Sequence, residues 1–130
     1  MSSPIDRRRV APPTGAPAPE QAGGIDLRTL AGRVTERYGD EFPDEDERYE
    51  PAIWRAWCRH DAQYLLQWGI LDADGVVSLD EQVAWLARVL GARDFPLDRL
   101  ARTLELCADE VVVAGRDDAA ERLRRAAWTL

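Results

Sequence analysis

PAIWRAWCRHDAQYLLQWGIL, Pro51 to Leu71, is the stretch on which the fold turns. It holds three of the chain's five tryptophans. Its apolar residues recur at helical spacing, and Pro51 suits a first helical position, where a missing N–H costs nothing. At about 100° per residue, Ile53, Trp54, Trp57, Tyr64, Leu65, Trp68 and Leu71 form one broad face, with Arg55, Arg59, Gln63 and Leu66 opposite. The expectation is one long helix whose aromatic side is the core. Asp61 interrupts that side, one turn from Trp57 and Leu65. A carboxylate there needs a partner, because an unpaired buried charge is very costly.

The same period continues outward. IDLRTLAGRVTERYG, 25 to 39, predicts a short amphipathic helix with Leu27, Leu30, Ala31, Val34 and Tyr38 inward and Gly39 as its stop. Ser78 and Glu81 make an S-x-x-E capping box. The helix it opens buries Leu79, Val83, Leu86, Val89 and Leu90 and closes at Gly91. FPLDRLARTLELCADEVVVAG, 95 to 115, starts at Pro96, ends at Gly115, and turns Leu100, Leu104, Cys107 and Val111 to one side. Leu106 and Val113 fall on its other side. The final RDDAAERLRRAAWTL places acids first and arginines last, as a helix dipole prefers.

No strand is expected. Short connections after Leu71 and Leu90 make consecutive helices antiparallel. The predicted fold is all-α: a small bundle of four to five antiparallel helices, with residues 25–130 as one helical domain. Residues 1–24, dominated by Pro, Ala, Gly and Ser, predict a disordered tail, since almost nothing there repays the entropy of ordering. Arg7, Arg8 and Arg9 would be its charged hook.

Composition narrows function. A length of 130 residues suits one domain, and 45% hydrophobic residues suffice for a modest core. A net charge of -7 argues against a general nucleic-acid binder and permits a basic partner, a cation ligand or simply good solubility. Every basic side chain is Arg, which reads as coding bias before phosphate chemistry. Cys58 and Cys107 lie in apolar helical patterns, where Cys acts as a small hydrophobe. The VAPPTGAPAPE after Arg9 is not the apolar core of an export signal, and no stretch is long enough to span a bilayer. The expected compartment is the cytoplasm.

Three places carry candidate chemistry. DEFPDEDERYE, 40 to 50, is the most acidic run. It reads as a solvated linker, or as an acidic docking motif with Phe42 as anchor among Asp44, Glu45 and Asp46. Asp61 and His60, with Trp57, Tyr64 and Trp68, outline a ligand pocket or an acid–base pair. Cys58 and His60 point to different sides of a helix, and zinc would need further ligands.

The third place is ILDADGVVSLDE, 70 to 81. Aligned on Gly75, it resembles an EF-hand calcium loop, with Asp72, Asp74, Gly75, Val77, Ser78 and Glu81 at the third, fifth, sixth, eighth, ninth and twelfth positions. The resemblance covers those residues alone. It departs at the first ligand position, which is Ile70, and the chain offers no second loop to pair with it. It implies at most a degenerate, weak calcium site with Asp72, Asp74, Ser78 and Glu81 as ligands. The plainer reading is a polar turn followed by a capping box.

The sequence carries no glycine-rich phosphate loop and no nucleophile elbow, and it predicts no cofactor. The expectation is therefore an acidic, all-helical protein–protein interaction or regulatory module without catalysis. Its contact surfaces would be the acidic run and the spare apolar positions Leu66, Trp85, Leu106 and Val113. Another protein, a second copy of the chain included, is the expected partner, rather than nucleic acid or membrane.

Overall fold

The structure, a computed structural model, describes residues 11–130. A two-residue hairpin opens it: β1 (Gln21–Ala22) pairs antiparallel with β2 (Ile25–Asp26). Gly23 and Gly24 turn it at φ +55° and +77°, the backbone that a tight hairpin needs to follow strand twist. Then come α1 (Leu27–Glu41), the single turn α2 (Glu45–Arg48), α3 (Pro51–Ala73), α4 (Leu79–Ala92), α5 (Leu97–Val113) and α6 (Asp117–Trp128). This is the all-α bundle expected, with five long helices among the described residues. The small hairpin is an addition that the sequence reading missed.

Local chemistry sets the helix ends. The Asp26 carboxylate accepts from the Thr29 backbone N–H at 3.2 Å and from the Thr29 hydroxyl at 2.8 Å, capping α1. Ser78 Oγ accepts from the Glu81 N–H at 3.2 Å, as the capping box predicts. Helices α3, α4 and α5 all end alike. The second residue past each cap donates back across the last turn: Val76 to Leu71, Phe95 to Leu90 and Arg116 to Val111. The residue before it, Gly75, Asp94 or Gly115, takes a positive φ.

Helix α3 is the axis of the bundle. Tyr38 of α1 meets Trp54, while Gly69 and Asp72 of α3 meet Leu123 and Arg122 of α6. Helix α5 packs most extensively on α6 and also along α1, where Arg37 reaches Asp109 and Arg102 reaches Glu41. These pairings run in opposite chain directions, so α1 is antiparallel to both α3 and α5, and α3 is antiparallel to α6. Leu27, Val34, Leu65, Leu66, Ile70, Leu104, Leu106 and Leu123 are among the fully buried side chains between them. Each contributes about 1.5–3 kcal/mol of burial.

Two glycines are where helices approach most closely. A Cβ on Gly69 would lie 2.8 Å from Leu123 Cγ, and one on Gly39 would lie 3.0 Å from the Trp54 ring. Gly39 therefore does not stop α1, as its composition suggested. It lies inside the helix, where it leaves room for an indole.

The face of α3 that enters the core is largely the reverse of the one expected, with Trp54 and Leu65 buried as predicted. Ala62, Gln63, Leu65, Leu66, Gly69 and Ile70 are buried with Trp54, while Trp57, Tyr64 and Trp68 are half-buried. Trp57 and Leu66 are nine residues apart, two and a half turns, so they cannot share a side. The branched aliphatics win the interior because they pack between four helices without a polar atom to satisfy. Leu66 and Leu106, expected as surface contacts, are both in the core.

Candidate functional site

The outer side of α3 carries a continuous strip of rings. Trp57 meets His60 edge-on with centroids 5.2 Å apart, His60 meets Tyr64 at 5.2 Å, and Tyr64 meets Trp68 at 5.7 Å. Helical spacing alone generates this ladder, since each ring is one turn from the next. The sequence reading grouped these residues with Asp61 as a pocket. The structure does bring them together, but as a surface strip. His60 Nδ1 lies 3.3 Å from Asp61 Oδ1, and both side chains are about a quarter exposed, 24% and 25%. Asp61 is thus not the buried carboxylate that the expected core face required.

The N-terminal segment lies against this helix. The Trp57 indole N–H donates to the Ala11 carbonyl at 2.6 Å, and the Gln63 amide donates to the Pro19 carbonyl at 2.9 Å. The disordered tail expected over 1–24 is corrected for residues 11–24, which hold these contacts and the hairpin. Residues 1–10, and with them Arg7–Arg9, fall outside the described residues. Gln63 is a buried polar side chain. Sequence periodicity sent it outward because its partner, a proline carbonyl, was assigned to the tail.

Neither cysteine supplies a nucleophile beside His60. Burial pushes the Cys58 thiol up to about 12, despite the neighbouring Thr35 hydrogen bond. Burial likewise raises Cys107 well above the ordinary thiol range. Both stay protonated thiols at neutral pH, and both are unpaired.

The acidic run is partly folded in: Asp40, Glu41, Glu47 and Glu50 are exposed, while Glu45 is buried. Asp40 and Glu41 belong to α1, and Glu45–Arg48 form α2. The Glu45 side chain is only 3% exposed. Its carboxylate accepts from Arg99 at 2.6 Å, from Arg48 at 3.2 Å and from the Tyr38 hydroxyl at 3.2 Å. Arg99 also donates to Asp44 at 2.8 Å and lies 4.4 Å from the centre of the Phe42 ring. Asp46 accepts from the Trp54 indole N–H at 2.9 Å. Phe42, Asp44, Glu45 and Asp46 thereby all have partners within the chain, though the Asp44 side chain stays 47% exposed. Reading the run for charge alone missed Arg99, which lies more than fifty residues away in sequence.

The calcium-like turn is likewise engaged. Residues 70–73 are still helix α3, and Gly75 is the positive-φ residue that ends it. Asp72 pairs with Arg122 at 3.1 Å and Asp74 with Arg116 at 2.8 Å, while Ser78 caps α4. Among the described residues, no group of three or more His, Cys, Asp or Glu side chains is placed to hold a metal ion. The oxygens of Asp72, Asp74, Ser78 and Glu81 are not gathered around one point.

Large apolar side chains do remain outside. Trp128 is 90% exposed, Val113 77% and Trp85 51%. Trp85 and Val113 were expected there, and Trp128 joins them. Among the described residues, no helix is long and apolar enough to cross a membrane. Comparison of the chain with protein-family models, curated proteins and solved structures finds no match.

Proposed function

We propose that this chain is a non-catalytic helical module that works by protein–protein contact. The observation that carries the reading is the grip of α3 on an extended piece of polypeptide, through the Trp57 indole and the Gln63 amide. A strip of rings beside side-chain donors that reach main-chain carbonyls is suited to holding peptide. The outward Trp85, Trp128 and Val113 add further contact area, because exposed tryptophan is enriched where proteins meet. His60 and Asp61 lie 3.3 Å apart within the surface strip, both partly open to water, which favours the contact reading over an acid–base site. With Phe42, Asp44, Glu45 and Asp46 already paired within the chain, the module recognises its partner mainly through aromatic and main-chain contacts.

Affinity capture tests this, with the full-length chain as bait and cell extract of its native source as prey. Trp57→Ala and the double variant Trp85→Ala/Trp128→Ala serve as comparisons. The module reading expects a partner held by the native bait and lost from at least one variant. Identical eluates from all three baits would remove it.

A further inference from the structure

The segment seated on α3 has the chemistry of a ligand. Residues 11–20 read APPTGAPAPE, with prolines at 12, 13, 17 and 19. Proline fixes φ near −65° and has no N–H, so such a segment favours an extended, left-handed course without internal hydrogen bonds. Its carbonyls are then left to find donors elsewhere. Two of them find donors on α3, one on the strip at Trp57 and one on its flank at Gln63. Gly15, at φ +92°, bends the segment between these contacts.

The two contacts set the scale. Trp57 and Gln63 are six residues apart, about 9 Å of helix at 1.5 Å each, while Ala11 and Pro19 are eight apart, about 25 Å if fully extended at 3.1 Å each, so the turn at Gly15 shortens the span between them. Ring faces for the pyrrolidines, with an indole N–H for a carbonyl, are how aromatic grooves take proline-rich segments. Prolines also limit the ordering entropy such a complex must overcome.

We infer that the Trp57–Trp68 strip is a binding site for a proline-rich extended segment of another protein. Residues 11–19, which hold the Trp57 end of the strip through the Ala11 carbonyl, are the resident segment in cis that the incoming one displaces. The inference rests on the reading of the chain as an interaction module and names the partner's chemistry. Tethering gives the resident segment a millimolar-range effective concentration, so it holds the site closed against weak competitors.

Nuclear magnetic resonance of the full-length chain tests this, with a synthetic APPTGAPAPE peptide as the probe. The Trp57 indole N–H signal is identified by its loss in Trp57→Phe. The peptide is added to the native chain and to the full-length variant Pro12→Ser/Pro13→Ser/Pro17→Ser/Pro19→Ser. Far-ultraviolet circular dichroism checks that the variant keeps its helices. The expected result is a saturable shift of the Trp57 signal in the variant, at a peptide concentration about ten-fold or more below that needed by the native chain. A peptide with serine at the four proline positions should leave the signal unmoved. A helical variant whose Trp57 signal ignores millimolar peptide would overturn the inference, as would equal midpoints for the two chains. A shift confined to Trp85 or Trp128 would also overturn it, while leaving the module reading standing.

Discussion

Arg99, in the first turn of α5, lies 2.6 Å from the Glu45 carboxylate of α2, and both side chains are largely withdrawn from water. The pair fastens the only single-turn helix among the described residues to the α5–α6 half of the bundle. It also brings Tyr38 and Asp44 into one network.

Removing Glu45 leaves the buried Tyr38 hydroxyl without its acceptor and the largely buried Arg99 with Asp44 alone. Glu45→Ala is therefore expected to cost about 3 kcal/mol or more in denaturant unfolding. Arg99→Lys should not restore stability, because an ammonium cannot fork between Glu45 and Asp44. A Glu45→Ala chain as stable as the native one would show that the network is decorative.

Two helical glycines should respond in opposite directions. Gly69→Ala drives a methyl group into the buried Leu123 and is expected to destabilise by about 1–3 kcal/mol. Gly32→Ala, in the middle of α1, meets nothing within 4 Å and should stabilise by about 0.5–1 kcal/mol. Thermal unfolding of both variants reads the contrast. Equal shifts would contradict the close approach of α3 and α6.

The reversed face of α3 predicts an inequality. Leu66→Ala removes a fully buried side chain and should cost about 2–5 kcal/mol. Asp61→Ala, at a partly exposed position, should change stability by no more than about 0.5 kcal/mol. Chemical denaturation showing the opposite order would restore the aromatic side as the core.

Stability should fall on both sides of neutral pH. Arg116, then the Ala119 backbone N–H, holds the Asp118 carboxyl at about 2. Hydrogen bonds from Arg102, Arg99 and Thr29 lower Glu41, Asp44 and Asp26. These folded-state values lie below the unfolded ones, so their contribution is present above the unfolded value, about pH 4, and lost as pH drops toward 2. Burial raises Cys58 to about 12 from 9.0 and lifts Tyr38 above its ordinary 10.0. Their contribution is present below the unfolded values and lost as pH rises from about 9 toward 12. Melting temperature against pH should show a plateau between these limbs. Asp118→Asn should shrink the acid limb, and an unchanged limb would contradict the pairing with Arg116.

What the sequence made legible was whatever a short window decides. The period of Leu27 to Tyr38, the cap at Ser78 and the stop at Gly115 are each local, and each is where the periodicity put it. The face of α3 was not legible in the same way. Its aromatic and aliphatic sides are both apolar, and only the neighbouring helices choose between them. The sites failed for a related reason. Glu45, Asp72 and Asp74 read as open carboxylates because Arg99, Arg116 and Arg122 lie far along the chain. Gln63 read as solvent-facing because its acceptor sits among prolines with no periodicity to announce a contact. A cue was nevertheless present: four prolines leave carbonyls in search of donors, and Trp57 and Gln63 are donors.

The hold of α3 on residues 11–19 is tested most directly by hydrogen exchange at the tryptophan indoles. The Trp57 N–H, bonded to the Ala11 carbonyl at 2.6 Å, should exchange markedly more slowly than that of the exposed Trp128. It should also show a nuclear Overhauser contact to residues 11 and 12. Exchange as fast as that of Trp128, with no such contact, would contradict the account.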